Sequence, residues 1–126
     1  MADTRQLAVV TGASSGIGFE LAKQFAQNGF DVILAADRDL HAAGEAVRAE
    51  GGAVIQAIEA DLSTRAGVDQ LYQAIQSSGR PVAALAANAG IGLGHGFLDQ
   101  NLDDAIKVVD TNIVGTLALV LSLIHI

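Results

Sequence analysis

The stretch from Leu7 to Gly18, LAVVTGASSGIG, constrains the fold more than any other part of the chain. Leu7, Ala8, Val9 and Val10 form an apolar run too short for a helix of its own, and such a run reads as a strand buried on both faces. Thr11 and Gly12 end it. Gly12, Gly16 and Gly18 then stand in a G-x-x-x-G-x-G pattern, and an apolar helical stripe of Ile17, Leu21, Phe25 and the small residues between them follows at once. A strand, a glycine turn and a helix N-terminus together make an anion site. Backbone N–H groups and the positive end of the helix dipole converge where a phosphate can sit. The glycines by themselves also fit a plain tight turn.

The totals set bounds on what such a unit can be. With 126 residues there is room for one small domain, and 51% apolar content is enough to build its core. A net charge of −7 with no basic stretch argues against nucleic acid or an anionic membrane surface as partner. There is no cysteine, which excludes disulfides and thiolate metal sites and fits a reducing cytoplasm. The opening MADTRQ lacks the pattern of a signal peptide, and the apolar segment 113–126 is too short to span a bilayer.

Further along, Asn28-Gly29 stops the first helix. Val32 to Ala36 reads as a second buried strand, closed by Asp37-Arg38-Asp39. Asp37 falls 19 positions after Gly18, where dinucleotide folds use an acid to hold the ribose 2′-hydroxyl and repel a 2′-phosphate. Asp39 caps a second helix that runs to Gly51-Gly52, with His41 a surface residue in its first turn. Ala53 to Ile58 is a third strand. Asp61-Leu62 follows, Asp61 also suiting an ordinary turn, with Ser63 as the N-cap of the next helix. Val68, Leu71, Tyr72 and Ile75 are spaced to bury one face of that helix, so Tyr72 reads as core. Residues 77–81 are a turn. Val82 to Ala87 is a fourth strand running into Asn88-Ala89-Gly90 and a glycine-rich loop to Gly96. His95 in that loop has no partner ligands at metal-binding spacing, and no metal site is expected. Asn101, Asp103 and Asp104 open a fourth helix, whose buried face is marked by Ile106, Val109, Ile113 and Leu117. Asn112 interrupts it, a polar group costly there unless paired. The expected architecture is a three-layer α/β unit of Rossmann type. Its parallel strands fall at 7–11, 31–36, 53–58 and 82–87, in the order 3-2-1-4.

Four strings occur in this order: TGASSGIG from Thr11, Asp61-Leu62, Ala87-Asn88-Ala89-Gly90, and Thr111-Asn112-Ile113-Val114-Gly115. Together they resemble the short-chain dehydrogenase/reductase family, over Leu7 to about Val120. The resemblance implies an oxidoreductase that moves a hydride between a nicotinamide dinucleotide and a carbonyl or alcohol substrate, and a homo-oligomeric cytoplasmic parent. It places Gly12, Ser14, Ser15, Gly16, Ile17 and Gly18 on the cofactor pyrophosphate. Asp61 and Leu62 go to the adenine, and Asn88, Ala89 and Gly90 to the floor of the site. Ala87 departs from the usual first asparagine of that last motif. In the family, the asparagine matching Asn112 distorts the helix and holds a water of the proton relay, which makes Asn112 the one catalytic candidate. Asp37 favours NAD, while Arg38 could hold the extra phosphate of NADP; the expectation leans to NAD.

The family continues with a serine, a Tyr-x-x-x-Lys pair and the elements that shape the substrate pocket. The single tyrosine, Tyr72, is followed four residues later by Gln76 and does not match that pair. The chain thus reads as an N-terminal fragment, 1–120, inactive by itself. The last six residues, LSLIHI, equal the translation of a transposon-end adaptor and read as a foreign tail; His125 within it carries no function. Two other readings stay open at this point. One is a non-catalytic nucleotide-binding or regulatory module. The other is a Rossmann-type methyltransferase, which the four linked strings disfavour. The substrate itself is not encoded in these residues.

Overall fold

The computed structural model describes residues 5–91 and 96–124. Four strands form one parallel sheet in the order β3-β2-β1-β4. They are β1 (Gln6–Thr11), β2 (Phe30–Ala36), β3 (Val54–Glu59) and β4 (Val82–Ala86). Helices α1 (Gly16–Gln27), α2 (His41–Ala49) and α3 (Arg65–Ser77) fill the crossovers. The expected strands therefore stand, with each boundary within one residue.

In the central pair, residues 7–10 of β1 and 32–36 of β2 are apolar because helices cover both faces of the sheet. On one side Ala8, Val10, Val32 and Leu34 pack with Ala22, Ala26, Ala43 and Val47 of α1 and α2. On the other, Leu7, Val9, Ile33 and Ala35 pack with Val68, Leu71 and Ile75 of α3 and with Leu119. The result is three layers, helices–sheet–helices.

The fourth helix differs from the expected single run. It opens as α4 (Leu102–Val109), capped by Asn101, whose side chain accepts the Asp103 N–H at 2.8 Å. It passes through a π-helical segment, Asp110–Gly115, and continues as α5 (Thr116–Ile124). From Leu102 to Leu123 this is 22 residues, long and apolar enough by length and composition to cross a membrane. The segment from Ile113, too short by itself, is the second half of this longer helix. Its inner edge is nonetheless docked in the protein, with Thr111, Gly115 and Leu119 buried.

Two helix faces differ from expectation. In α1 the buried residues are Gly18, Ala22 and Ala26, while Ile17 is 73% exposed, Leu21 lies at the surface and Phe25 is half-buried against Phe30. In the fourth helix Ile106, Val109, Ile113 and Leu117 are all exposed. In α1 the helix approaches the sheet along its smallest side chains, Gly18, Ala22 and Ala26. The fourth helix instead docks through Thr111, Gly115 and Leu119, against α3 and the Leu62 carbonyl. At Gly115 a Cβ would overlap the Leu62 carbonyl oxygen, so only glycine allows that contact.

Smaller differences have local causes. Thr64, not Ser63, caps α3, its hydroxyl accepting the Gly67 N–H at 3.0 Å. Ser63 is held instead by Asp61. Asp39 does take the His41 N–H, at 3.1 Å, although Leu40 occupies the formal cap position. Tyr72 is half-buried rather than core, its hydroxyl accepting from Gln76 on the helix surface. His95 and His125 lie outside the described residues.

Candidate nucleotide-binding cleft

All four strands point their carboxyl ends at one cleft of about 210 Å³. β1 delivers Gly12, Ser14 and Ser15 to it; β2 delivers Ala36, Asp37 and Arg38. Ala60, Asp61 and Leu62 arrive after β3, and Asn88, Ala89, Gly90 and Ile91 after β4. Thr111 closes the wall from the π segment. Open parallel sheets bind ligands at this edge, where crossovers leave the sheet in opposite directions.

The loop from Gly12 to Gly16 is shaped by backbone geometry that other residues resist. Gly12 and Gly16 have φ of 64° and 62°, in the left-handed region. Ser15 stands at the N-cap of α1 with no side-chain capping bond, and no acid lies in the first turn. The positive end of α1 is thus left for an anion at the cleft. Gly18 lies one turn in, where a Cβ would press on the Gly12 carbonyl and on Asn88. Gly16 and Ile17 face the outer surface of α1 with Glu20 and Leu21, and neither they nor Gly18 line the cleft.

Thr11 ties this loop to β4. Its buried hydroxyl accepts the N–H groups of Asn88 at 3.0 Å and Ala89 at 2.9 Å. The Asn88 amide in turn donates to the Gly12 carbonyl at 3.4 Å. One hydroxyl therefore fixes the spacing between the glycine loop and the Asn88–Gly90 turn. Sequence reasoning placed Thr11 only as a strand end. The available signal was a polar residue closing an apolar strand directly before the glycine turn.

Asp37 and Arg38 form an exposed ion pair at 3.2 Å on the rim. Asp61 is held more firmly. Its Oδ1 accepts the Ser63 hydroxyl at 2.6 Å and the Ser63 N–H at 2.9 Å. Those two bonds, with the charge of Lys107, keep its carboxyl below the ordinary value of 3.8 against the opposing effect of burial. The Leu62 side chain is buried in the layer with Val68, Leu71 and Leu119, so it supports the cleft from beneath.

Asn112 is paired, and its partner is a backbone. Its Oδ1 accepts the Ile91 N–H at 2.8 Å while its Nδ2 donates to the Ile91 carbonyl at 2.9 Å. It stands within the π segment, where the helix is locally widened. Asn112 does not line the cleft; it holds Ile91, which does. Among the described residues no group of three or more His, Cys, Asp or Glu could hold a metal ion.

With that geometry in place, the family described as short chain dehydrogenase matches residues 6–126. The chain belongs to the short-chain dehydrogenase family. A 3beta-hydroxysteroid dehydrogenase of Eggerthella lenta is 34% identical over 112 residues, covering 87% of this chain and 43% of that protein. An uncharacterised oxidoreductase of Escherichia coli is 34% identical over 112 residues, covering 86% of this chain and 45% of that protein. Among solved structures, L-sorbose reductase from Gluconobacter frateurii, complexed with NADPH and L-sorbose, superposes with a TM-score of 0.88 at 27% identity. That match covers 97% of this chain and 47% of the reductase. A 3-oxoacyl-[acyl-carrier protein] reductase from Brucella melitensis in complex with NAD gives 0.87 at 26% identity, over 98% of this chain and 49% of that one. This short-chain dehydrogenase chain thus spans about half the length of the relatives it matches.

Proposed function

We infer that the cleft takes the adenosine and pyrophosphate half of a nicotinamide dinucleotide. In the whole short-chain dehydrogenase this places the cofactor for hydride exchange with a carbonyl or alcohol. The observation that carries the reading is the convergence of Gly12, Ser14 and Ser15, at the uncapped start of α1, with two carboxylates after β2 and β3. The loop amides would hold the pyrophosphate. Asp37 would accept the ribose hydroxyls, and Asp61 would meet the adenine amine. Asn88 and Ala89, fixed by Thr11, would form the floor, and Asn112 would set the far wall through Ile91.

The cofactor preference we infer is NAD. Asp37 stands on the rim where a 2′-phosphate would bring a second negative charge beside its own. Arg38 is already paired with that same carboxylate. Solved relatives hold NADPH in one case and NAD in another, so the comparison supports either nicotinamide dinucleotide.

The cofactor supplies the hydride, and proton transfer to or from the reacting oxygen needs a general acid–base within hydrogen-bond reach. No tyrosine, serine and lysine in that arrangement line the cleft among the described residues. The 126-residue chain is accordingly expected to bind nucleotide without turning over substrate. Titrating the purified chain with NAD and NADP, and assaying NAD(P)H-linked turnover on a panel of ketones and alcohols, tests both parts. Binding without turnover supports the reading. Clear turnover from a monodisperse sample contradicts it, as does tighter binding of NADP that leaves the Asp37→Ala variant unaffected for NAD.

A further inference from the structure

At the end of the sheet opposite the cleft, one carboxylate gathers the starts of all four strands. Asp31, second in β2, is 8% exposed. Its Oδ1 accepts Arg5 Nε at 2.9 Å and the Ala53 N–H at 3.2 Å, and its Oδ2 accepts a guanidinium N–H of Arg80 at 2.9 Å. Arg5 also donates to the Phe30 carbonyl at 2.9 Å, and Arg80 to the Arg5 carbonyl. Arg5 precedes β1, Ala53 precedes β3 and Arg80 precedes β4.

Just inside this clamp both outer strands carry one extra residue. β3 pairs Val32 with Val54 and then Ile33 with Gln56, leaving Ile55 over. β4 pairs Leu7 with Val82 and then Ala8 with Ala84, leaving the exposed Ala83 over. Bulges between parallel strands are rare. A one-residue slip turns every side chain beyond it to the other face. Little in β4 resists such a slip by size, since three of its five residues are alanine. Yet the far end depends on it. In the observed register Ala84 and Ala86 meet the α1 layer and Leu85 the α3 layer, and Asn88 and Ala89 reach Thr11.

We propose that Asp31, with Arg5 and Arg80, is a positioning residue for the cleft. It anchors the starts of β3 and β4 so that the bulges at Ile55 and Ala83 are retained, and so brings Asp61 and Asn88 to their places at the other end. Only the affinity arm of the test rests on the nucleotide reading; the register arm does not.

The test compares Asp31→Asn in the full chain with Asp31→Asn in a chain lacking Ala83. Removing Ala83 leaves a regular strand in which Val82, Ala84, Leu85 and Ala86 keep their present partners, so the clamp is no longer needed for register. Nuclear Overhauser contacts between β1 and β4 read the pairing directly. NAD titration reads the cleft. Asp31→Asn is expected to add a second pairing set, with Ala83 beside Ala8, and to weaken NAD about tenfold, a change well within titration range. The same substitution without Ala83 is expected to give one β1–β4 pairing set and a smaller loss of affinity, the remainder coming from β3, whose extra residue Ile55 still depends on the clamp. Equal losses in both backgrounds, or a single unchanged register in Asp31→Asn, would overturn the proposal. Should Asp31→Asn fail to fold, Arg80→Lys keeps the charge but loses the second donor of the guanidinium. It is expected to show the same mixed pairing, and an unaltered pairing there would equally overturn it. A chain whose wild type binds no NAD but whose register responds as described would refute the nucleotide reading alone.

Discussion

Thr11 carries more of the site than its size suggests. Its hydroxyl is the acceptor for two N–H groups at the turn after β4. Thr11→Val keeps the shape and removes the acceptor. The Asn88 N–H keeps the Ala86 carbonyl at 2.9 Å, but the half-buried Ala89 N–H loses its acceptor. A lost hydrogen bond costs about 0.5–1.5 kcal/mol, so urea denaturation is expected to show a loss of that order, with weaker NAD binding. Two glycines should separate conformational strain from steric overlap. Gly16 has open space around its missing Cβ but a left-handed backbone, so Gly16→Ala costs about 1–2 kcal/mol. In Gly18→Ala the new methyl meets the Gly12 carbonyl. Backbone cannot rotate aside as a side chain can, so thermal denaturation is expected to rank Gly18→Ala as the more damaging.

Acid sensitivity also belongs to single residues. For Asp31, burial raises the pKa, but hydrogen bonds from Arg80, the Ala53 N–H and Arg5 outweigh it and leave the group below 3.8. Asp61 is lowered as well. A carboxyl lowered by folding contributes stability that is complete above its unfolded value and lost as pH falls through its folded one. Denaturation midpoints are therefore expected to be flat near neutrality and to drop below pH 3.8. Asp31→Asn is expected to lower the plateau by about 1.5–3 kcal/mol, the worth of hydrogen bonds to a charged group, and to reduce the acid-dependent part of the curve.

Among the elements, the strands were legible and the helix faces were not. Leu7–Val10 and Val32–Ala36 are short apolar runs bounded by glycine or charge, and that pattern has few folded solutions. In α1 and the fourth helix, pattern reading followed the large apolar side chains, Ile17 and Leu21 or Ile106 and Ile113. Docking followed Gly18 and Ala22 in α1, and Thr111, Gly115 and Leu119 in the fourth helix. Large-residue periodicity finds a stripe, but only close packing decides which stripe faces inward. The same limit hid the ties that side chains make to distant backbone, such as Asn112 to Ile91 and Asp31 to Ala53. The glycine loop and Asp37 were legible as parts of one site from the strand–helix–strand spacing, whereas Asp61 and the Asn88–Gly90 turn were legible only through the resemblance of their strings to the family. This assignment of faces predicts a contrast. Leu119→Ala removes a buried side chain and should cost about 2–5 kcal/mol. Ile113→Gln alters a residue 60% exposed, and its effect on the denaturation midpoint should stay within about 0.5 kcal/mol.

At the scale of the whole molecule, the sheet holds a cleft at one end and a charge clamp at the other, with β4 at its edge. Val82–Ala86 presents unpaired backbone along that edge, and an apolar groove between Val82, Leu85, Val120 and Leu123 runs beside it. Open edges and exposed apolar helix faces favour association, so light scattering is expected to show self-association that rises with concentration. The central claim is that the cleft binds a nicotinamide dinucleotide through the glycine loop and the two carboxylates. Titrating the isotopically labelled chain with NAD and following its backbone amides tests this most directly. Shifts are predicted at Gly12 to Gly18, Asp37, Arg38, Asp61, Leu62 and Asn88 to Gly90, with Arg5, Asp31 and Arg80 unmoved. An unchanged spectrum, or shifts that avoid the glycine loop, would contradict it.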